Sequence, residues 1–324
     1  MATIYGDDTD SFISWKCIIS TTDFQNSAAT SQNIAATSQD TLETDTEKTG
    51  INKEIEKLKI YRNYWWKTGN FHPKAKWEEV SLPYELVTDV SWEEYVEKTD
   101  KYNIHGLWDW ENGAVNVIEI PSSFHDICVG AIVQQISGAT ISVMSTNQSI
   151  LNFGSTTTRS RGSGKEADAS YRPLAKPRVN NGGSDGRNQP WPNLVVKVAY
   201  AETEAAVKSK VENYWLAAGR AHDAIVVKLD YTAGVKPSCM TAWHYCINVR
   251  TAAGALNPTM YEFGSVDLQG NPINPQRGQN VINIQLNCLY HGVPVNFLIP
   301  SPPLPNPITI DLFHVRFAIE NCIV

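Results

Sequence analysis

Two short β-branched runs set the main constraint on what this chain can become. Leu194-Val195-Val196-Lys197-Val198-Ala199 and Ala224-Ile225-Val226-Val227-Lys228-Leu229 flank the stretch ETEAAVKSKVENYWLAAG. In that stretch Val207, Val211, Tyr214 and Ala218 fall on one helical face, and Gly219 stands where such a helix would stop. The runs read as buried strands. A strand–helix–strand unit of this length predicts a parallel pair joined by a right-handed crossover, so the core is expected to be α/β.

The flanking sequence extends this reading in both directions. Ser91 followed by Glu94 has the form of a capping box and predicts a short helix over SWEEYVEK. NIHGLWDW and AVNVIEI then flank Asn112-Gly113, the pair that a tight type I′ hairpin turn prefers. Pro121 closes the second arm. Ser122 or Ser123 is placed to cap a helix through Gln135, with Phe124, Ile127, Cys128, Ala131, Ile132 and Ile136 on its apolar face. Short strands are predicted at ATISVMS and SILNF, a basic Gly/Ser-rich loop after them, an extended segment at EADASYRP and a further loop at NNGGSDGRNQ.

At the ends the pattern changes. Residues 18–50, with the near-duplicates AATSQN and AATSQD, hold few large apolar groups and are expected to be largely disordered. INKEIEKLKIYRNYWW predicts a helical lead-in. From residue 231 onward the chain is strand-like and rich in turns, and ITIDLFHVRFAI predicts a closing strand. The expected organisation is a largely disordered region 1–50, a helical lead-in 51–90, an α/β core 91–230 and a β-rich extension 231–324.

Charge and cysteine usage narrow the function classes. Lys and Arg number 27 against 34 Asp and Glu, a net charge of -7, which argues against non-specific coating of nucleic acid but leaves a local basic surface open. Between Arg159 and Arg187 the basic residues Arg159, Arg161, Lys165, Arg172, Lys176, Arg178 and Arg187 face only Glu166, Asp168 and Asp185. That stretch reads equally as a phosphate-facing loop or as a solvated linker. Cys17, Cys128, Cys239, Cys246, Cys288 and Cys322 form no CxxC pair, and free thiols are expected. Cys239, His244 and Cys246 lie close enough in sequence to invite a zinc reading, without a second ligand pair at finger or ribbon spacing. The acidic start has no signal-peptide pattern and no apolar run reaches a membrane span, so a soluble intracellular protein, cytoplasmic or nuclear, is expected.

Four polar residues in the core are hard to explain as packing. Lys197 interrupts an apolar strand, Lys210 flanks the apolar stripe of the next helix, Asp109 lies between Trp108 and Trp110, and Asp168 precedes the strand. Taken in order, SWEEYVEK, the Asn-Gly hairpin, PSSFHDICVGAIVQQI, EADASYRP, PNLVVKVAY, VKSKVENYWLAAG and AIVVKL resemble the restriction-endonuclease family abundant in cyanobacteria, which has the PD-(D/E)xK nuclease fold. The resemblance covers about residues 90–230. In that family an acid precedes the first hairpin turn, an Asp precedes the catalytic strand, the strand reads PDLVVEV, and a Lys follows on the next helix. The matching positions here are Asp109, Asp168, Lys197 and Lys210.

The resemblance implies a mixed sheet flanked by helices and a metal-dependent nuclease. Mg²⁺ or Mn²⁺ would be held by Asp168 and Asp109, and Lys210 would orient water and offset transition-state charge. It implies a nucleic-acid partner, DNA ahead of RNA, met by Arg159, Arg161, Lys165 and Arg172, and a homodimer would suit cutting of both strands. The departure is Lys197, where the family has Glu. Lys has three donors and no acceptor, so it cannot ligate a metal while protonated. Reading Lys197 as the lysine of a (D/E)xK motif puts Val195 in place of the acid, so either register leaves the site one carboxylate short. Glu202 could reach back from beyond the strand, but an Asp168–Lys197 ion pair without metal is the simpler expectation. The implied function is a nuclease impaired in catalysis; the alternative is a non-catalytic nucleic-acid-binding or protein-interaction module.

Overall fold

A computed structural model describes residues 57–322 except 58, 77–79, 181, 233–234 and 296–303. The expected disorder over 18–50, and the lead-in residues 51–56 and 58, lie outside the described residues. Helical turns over residues 59–68 (α1) bury Trp65 and Trp66. β1 (Tyr84–Val87), α2 (Trp92–Tyr102), β2 (Trp108–Glu111) and β3 (Ala114–Val117) follow. The Ser91 hydroxyl accepts the Glu94 N–H and starts α2. Asn112 and Gly113 both have positive φ, as a type I′ turn requires between β2 and β3.

These strands join β5 (Thr157–Ser160) and β6 (Ser163–Glu166) in an antiparallel sheet of order β1-β3-β2-β6-β5. Trp65, Trp66, Tyr95, Trp108, Trp110, Val115 and Val117 form its core. The Tyr95 hydroxyl donates to the Trp108 carbonyl at 2.8 Å inside it, so the buried phenol is satisfied.

The second sheet runs β11-β10-β9-β8-β7-β4. Its members are β4 (Ile150–Asn152), β7 (Ala169–Pro173), β8 (Leu194–Ala199), β9 (Asp223–Leu229), β10 (Met240–Cys246) and β11 (Thr259–Glu262). β8 and β9 are parallel, joined through α4 (Glu204–Lys210) and a π-helical turn at Val211–Trp215; the other pairs are antiparallel. Every residue of β8 is buried, which is why its sequence is a continuous apolar run broken only by Lys197. One face packs under α3 (Ser123–Thr140), which turns in Phe124, Cys128, Ile132 and Ile136, and under α6 (Leu312–Glu320). The other face carries Val195, Ala199, Val226, Val207, Val211, Trp215 and Trp243. The two-stranded ladder of β12 (Val281–Ile284) and β13 (Ile308–Asp311), with the short α5 (Leu286–Leu289), adds to the α3 side.

Several local expectations change. ATISVMS is not a strand: α3 continues past Gln135 to Thr140 and ends in a 3₁₀ turn at Ile141–Val143, because Ile136, Thr140 and Val143 keep burying at helical spacing and the Thr140 hydroxyl bonds back to the Ile136 carbonyl. ITIDLFHVRFAI divides. Asp311 accepts the Phe313 N–H and starts α6, whose Leu312, Val315 and Ile319 are buried at i, i+3 and i+7. The α3 amide of Gln135 meets this junction, accepting the Asp311 N–H at 2.9 Å and donating to the Asp311 carbonyl at 3.3 Å. The basic Gly/Ser-rich stretch is the β5–β6 hairpin rather than a loop. Finally, Ser123–Val143 is long and apolar enough to cross a membrane by length and composition, which a search for an uninterrupted apolar run misses because Gly, Ser and Gln interleave with Ile and Val. Its buried row packs on the main sheet, the position of a core helix.

Candidate functional site

Asp168 lies between β6 and β7, where its backbone N–H is held by the Val196 carbonyl. Lys197, at the centre of β8, sends its ammonium to Asp168 Oδ1 at 2.8 Å and to the Gly106 carbonyl at 3.2 Å, with no exposed surface. Asp168 Oδ2 accepts the Val198 N–H at 2.6 Å and faces His125 Nε2 at 3.4 Å. Burial alone would push the Asp168 carboxyl up, but the Lys197 and His125 charges hold it down at about 2. The same pairing, against burial, pushes the Lys197 ammonium above its ordinary value. His125 is pushed up to about 10, burial being outweighed by Asp168 and Asp126. Both members of the central pair are therefore charged.

Gly106 shapes this corner. Its φ is +72°, and a Cβ there would come within 2.8 Å of Asp168 Oδ1. The Gly106 N–H donates to Glu166 Oε2 at 2.9 Å and His105 Nδ1 meets Glu166 Oε1 at 2.8 Å.

A second pair sits beside the first. The Lys210 ammonium lies 2.9 Å from Asp109 Oδ2 and 2.5 Å from Glu202 Oε1, and Lys165 lies 3.5 Å from Asp109 Oδ2. Burial pushes the Asp109 carboxyl up, but Lys210 and Lys165 outweigh it and the group is held below its usual range. Glu202 goes the other way, since burial outweighs the lysines. The contacts of Lys210 are charge contacts rather than aligned hydrogen bonds: its ammonium, both Glu202 oxygens and Asp109 Oδ1 have no hydrogen-bond partner.

The structure thus brings Asp109, Asp168, Lys197 and Lys210 into one buried polar cluster, and adds Glu202 from just past β8. Lys165 turns inward to it rather than outward. Glu119 and Glu166, both buried, escaped sequence reasoning. Glu119 accepts the N–H groups of Tyr200, Ala201 and Glu202 and fixes the chain where it leaves β8. The available signal was an acid in the apolar arm AVNVIEI.

Of the other basic residues, Arg159 and Arg161 belong to the β5–β6 hairpin, Arg172 to β7, and Arg178 and Arg187 to the loop beyond it, while Lys176 turns inward to the Trp191 carbonyl and Asn193. Arg159 donates its backbone N–H to the Ser184 carbonyl, its guanidinium lies over Trp92 at 5.0 Å and it pairs with Glu93 at 3.6 Å. Arg161, Arg178 and Arg187 are exposed. Arg172 stacks on the exposed Phe153 ring at 4.5 Å and donates to the Pro190 carbonyl at 2.7 Å. Cys239 and Cys246 flank opposite ends of β10, so the sequence-local zinc set of Cys239, His244 and Cys246 does not assemble.

No family model matches the sequence, and no curated protein matches it. Among solved structures, the chain is similar to a DUF820 protein from Anabaena variabilis ATCC 29413 described as a "putative nuclease", with a TM-score of 0.34 and 11% identity over 49% of this chain and 78% of that one.

Proposed function

We propose that this chain is a nuclease-like α/β protein, with a PD-(D/E)xK-type core around β7, β8 and α4, that binds nucleic acid without metal-dependent cleavage. The observation that carries the reading is the Lys197 ammonium, fully buried and 2.8 Å from Asp168 Oδ1. In a nuclease of this type a divalent cation would need oxygen donors at that position. The residues present do not fit one. The Asp168 oxygens are engaged by Lys197, the Val198 N–H and His125, while Lys210 lies against both Asp109 and Glu202, the other acids that would have to hold a cation. A protonated lysine can offset phosphoryl charge but cannot coordinate water and generate hydroxide as a bound Mg²⁺ or Mn²⁺ does, so we read the cluster as an internal charge lock.

The binding half of the proposal rests on the rim of Arg159, Arg161, Arg172 and Arg187 with the exposed Phe153 ring, a combination that tracks phosphates and stacks on bases. A protein-interaction module on the same fold is the second reading, favoured by the commitment of Arg172 to the Pro190 carbonyl and of Lys165 to Asp109.

The test pairs cleavage with binding. Plasmid DNA is incubated with wild type, Lys197→Glu and Asp168→Ala in Mg²⁺ or Mn²⁺, and binding of labelled single- and double-stranded DNA is titrated at rising salt. The expected result is no cutting by wild type, salt-sensitive binding, and weaker binding in Arg159→Glu/Arg161→Glu. Wild-type cutting abolished in Asp168→Ala would sink the non-catalytic reading. Binding that is absent, or indifferent to salt and to the arginines, would favour the protein-interaction module.

A further inference from the structure

A different constellation sits at the N-terminal end of β9, away from Glu202 and on the face of the main sheet opposite Lys197. The β9–β10 register places Cys246 directly across from Asp223, with His244 two residues earlier on the same face. Cys288 descends onto them from α5. One oxygen of Asp223 and the Sγ atoms of Cys246 and Cys288 lie within 4.8 Å of one another. His244 Nε2 is 3.4 Å from Asp223 Oδ1.

The spacing discriminates between chemistries. The two sulfurs are 3.6 Å apart, close enough to share a thiol hydrogen bond and too far for a disulfide. Two thiolates on a tetrahedral zinc, each at about 2.3 Å, are separated by roughly 3.8 Å. The sulfur–sulfur separation is close to that of a ligand edge around a small tetrahedral cation.

Two unpartnered atoms point the same way. Asp223 is 1% exposed, and its Oδ2 has no hydrogen-bond partner; nor does the buried His244 Nε2. A buried carboxylate oxygen left without a donor is costly unless a bound ligand satisfies it. The surroundings are also fixed in advance. Asn193, fully buried, donates to the carbonyls of Cys288, Leu289 and His291 and holds α5 in place, while the Asn248 amide donates to Cys288 Sγ at 3.5 Å. Such outer contacts orient metal-binding side chains. Cys246 is only partly buried, which leaves a way in.

We propose that Cys246, Cys288 and Asp223 bind one zinc-class divalent cation in a structural site that clamps α5 to the end of the main sheet, with His244 orienting the Asp223 carboxylate from outside and water taking the fourth position. Binding releases the two thiol protons to solvent and involves no change of oxidation state. The proposal is independent of the nuclease-like reading.

The experiment uses the full chain, stripped of metal by chelator under reducing conditions and titrated with Co²⁺. Wild type should take up one equivalent, with a thiolate-to-cobalt charge-transfer band and the strong visible bands of tetrahedral cobalt, and Zn²⁺ should displace it. Cys246→Ser and Cys288→Ser should lose most of the charge-transfer band. Asp223→Asn and His244→Ala should weaken Zn²⁺ binding at least tenfold, and Cys239→Ser should change nothing. Circular dichroism of each variant separates lost ligands from lost fold. A folded wild type that gives no charge-transfer band overturns the proposal. So does a band that survives unchanged in both folded serine variants, or one that Cys239→Ser removes.

Discussion

Glu119 Oε2 accepts the Tyr200 N–H at 2.7 Å, joining residues 81 apart in sequence. The contact ties the segment leaving the antiparallel sheet to the end of β8 in the mixed sheet. The same carboxylate takes the Ala201 and Glu202 N–H groups, so one side chain positions the backbone that carries Glu202 toward Lys210. Its replacement by an amide, Glu119→Gln, puts an NH₂ against N–H donors. A loss of about 1–3 kcal/mol is expected, read from urea unfolding; a change too small to resolve would mean that water replaces the carboxylate freely.

The Asp168–Lys197 pair is the strongest test of the buried cluster. Lys197→Met leaves Asp168 with His125 and one N–H, while Asp168→Asn leaves a buried ammonium without its counter-charge. Each should cost about 3–5 kcal/mol, because an uncompensated buried charge costs more than the pair contributes. The double variant should lose clearly less than the sum, by on the order of 1–3 kcal/mol of coupling. Strict additivity would show that the two groups do not sense each other.

Stability should depend on pH on two sides of a plateau. His125 is raised from 6.5 to about 10 in the folded chain, so its stabilisation is complete below pH 6.5 and is lost as pH rises through about 10. Asp168 is lowered from 3.8 to about 2, so its stabilisation is present above pH 3.8 and is lost as pH falls toward 2. Urea midpoints across this range should fall at both ends. His125→Gln should flatten the alkaline limb, and an alkaline limb unchanged in that variant would assign it to another group.

Gly106→Ala combines a left-handed backbone position with a Cβ 2.8 Å from Asp168 Oδ1. Overpacking and backbone strain together should cost about 1–3 kcal/mol. The same change should bring closer the pH at which acid unfolding begins, because it displaces the carboxylate from Lys197. A neutral substitution would show that the Gly106 turn yields easily.

The central β8–α4–β9 unit was legible because its strands are buried almost throughout and Val207, Val211 and Tyr214 recur between them, but the expected stripe stops short: the helix turns π-helical over Val211–Trp215 and Ala218 is exposed. The Asn112-Gly113 turn was legible because few residue pairs tolerate its backbone. The fate of the basic residues was not. Lys165 faces inward through its register in β6, whereas Arg161 is exposed because it sits in the β5–β6 turn, and Gly- and Ser-rich strands carry little apolar alternation to reveal either. Glu119 and Glu166 were hidden for a different reason. Their partners are backbone N–H groups and a histidine brought near only by the fold. The end of the strand predicted at ITIDLFHVRFAI was lost to a local competitor, the Asp311 cap, which turns an alternating run into a helix start.

The Gln135 amide pairs with both backbone groups of Asp311 as a neighbouring peptide unit would, across 176 residues. A contact of that span is among the last to be rewarded as the chain orders itself, since a long loop must close first. Until residues 308–320 arrive, α3 lacks its cover and the start of α6 lacks its brace. Folding of the mixed sheet should therefore finish late and all at once, and an interrupted or truncated chain would present the apolar flank of α3 to chaperones or to other unfinished chains.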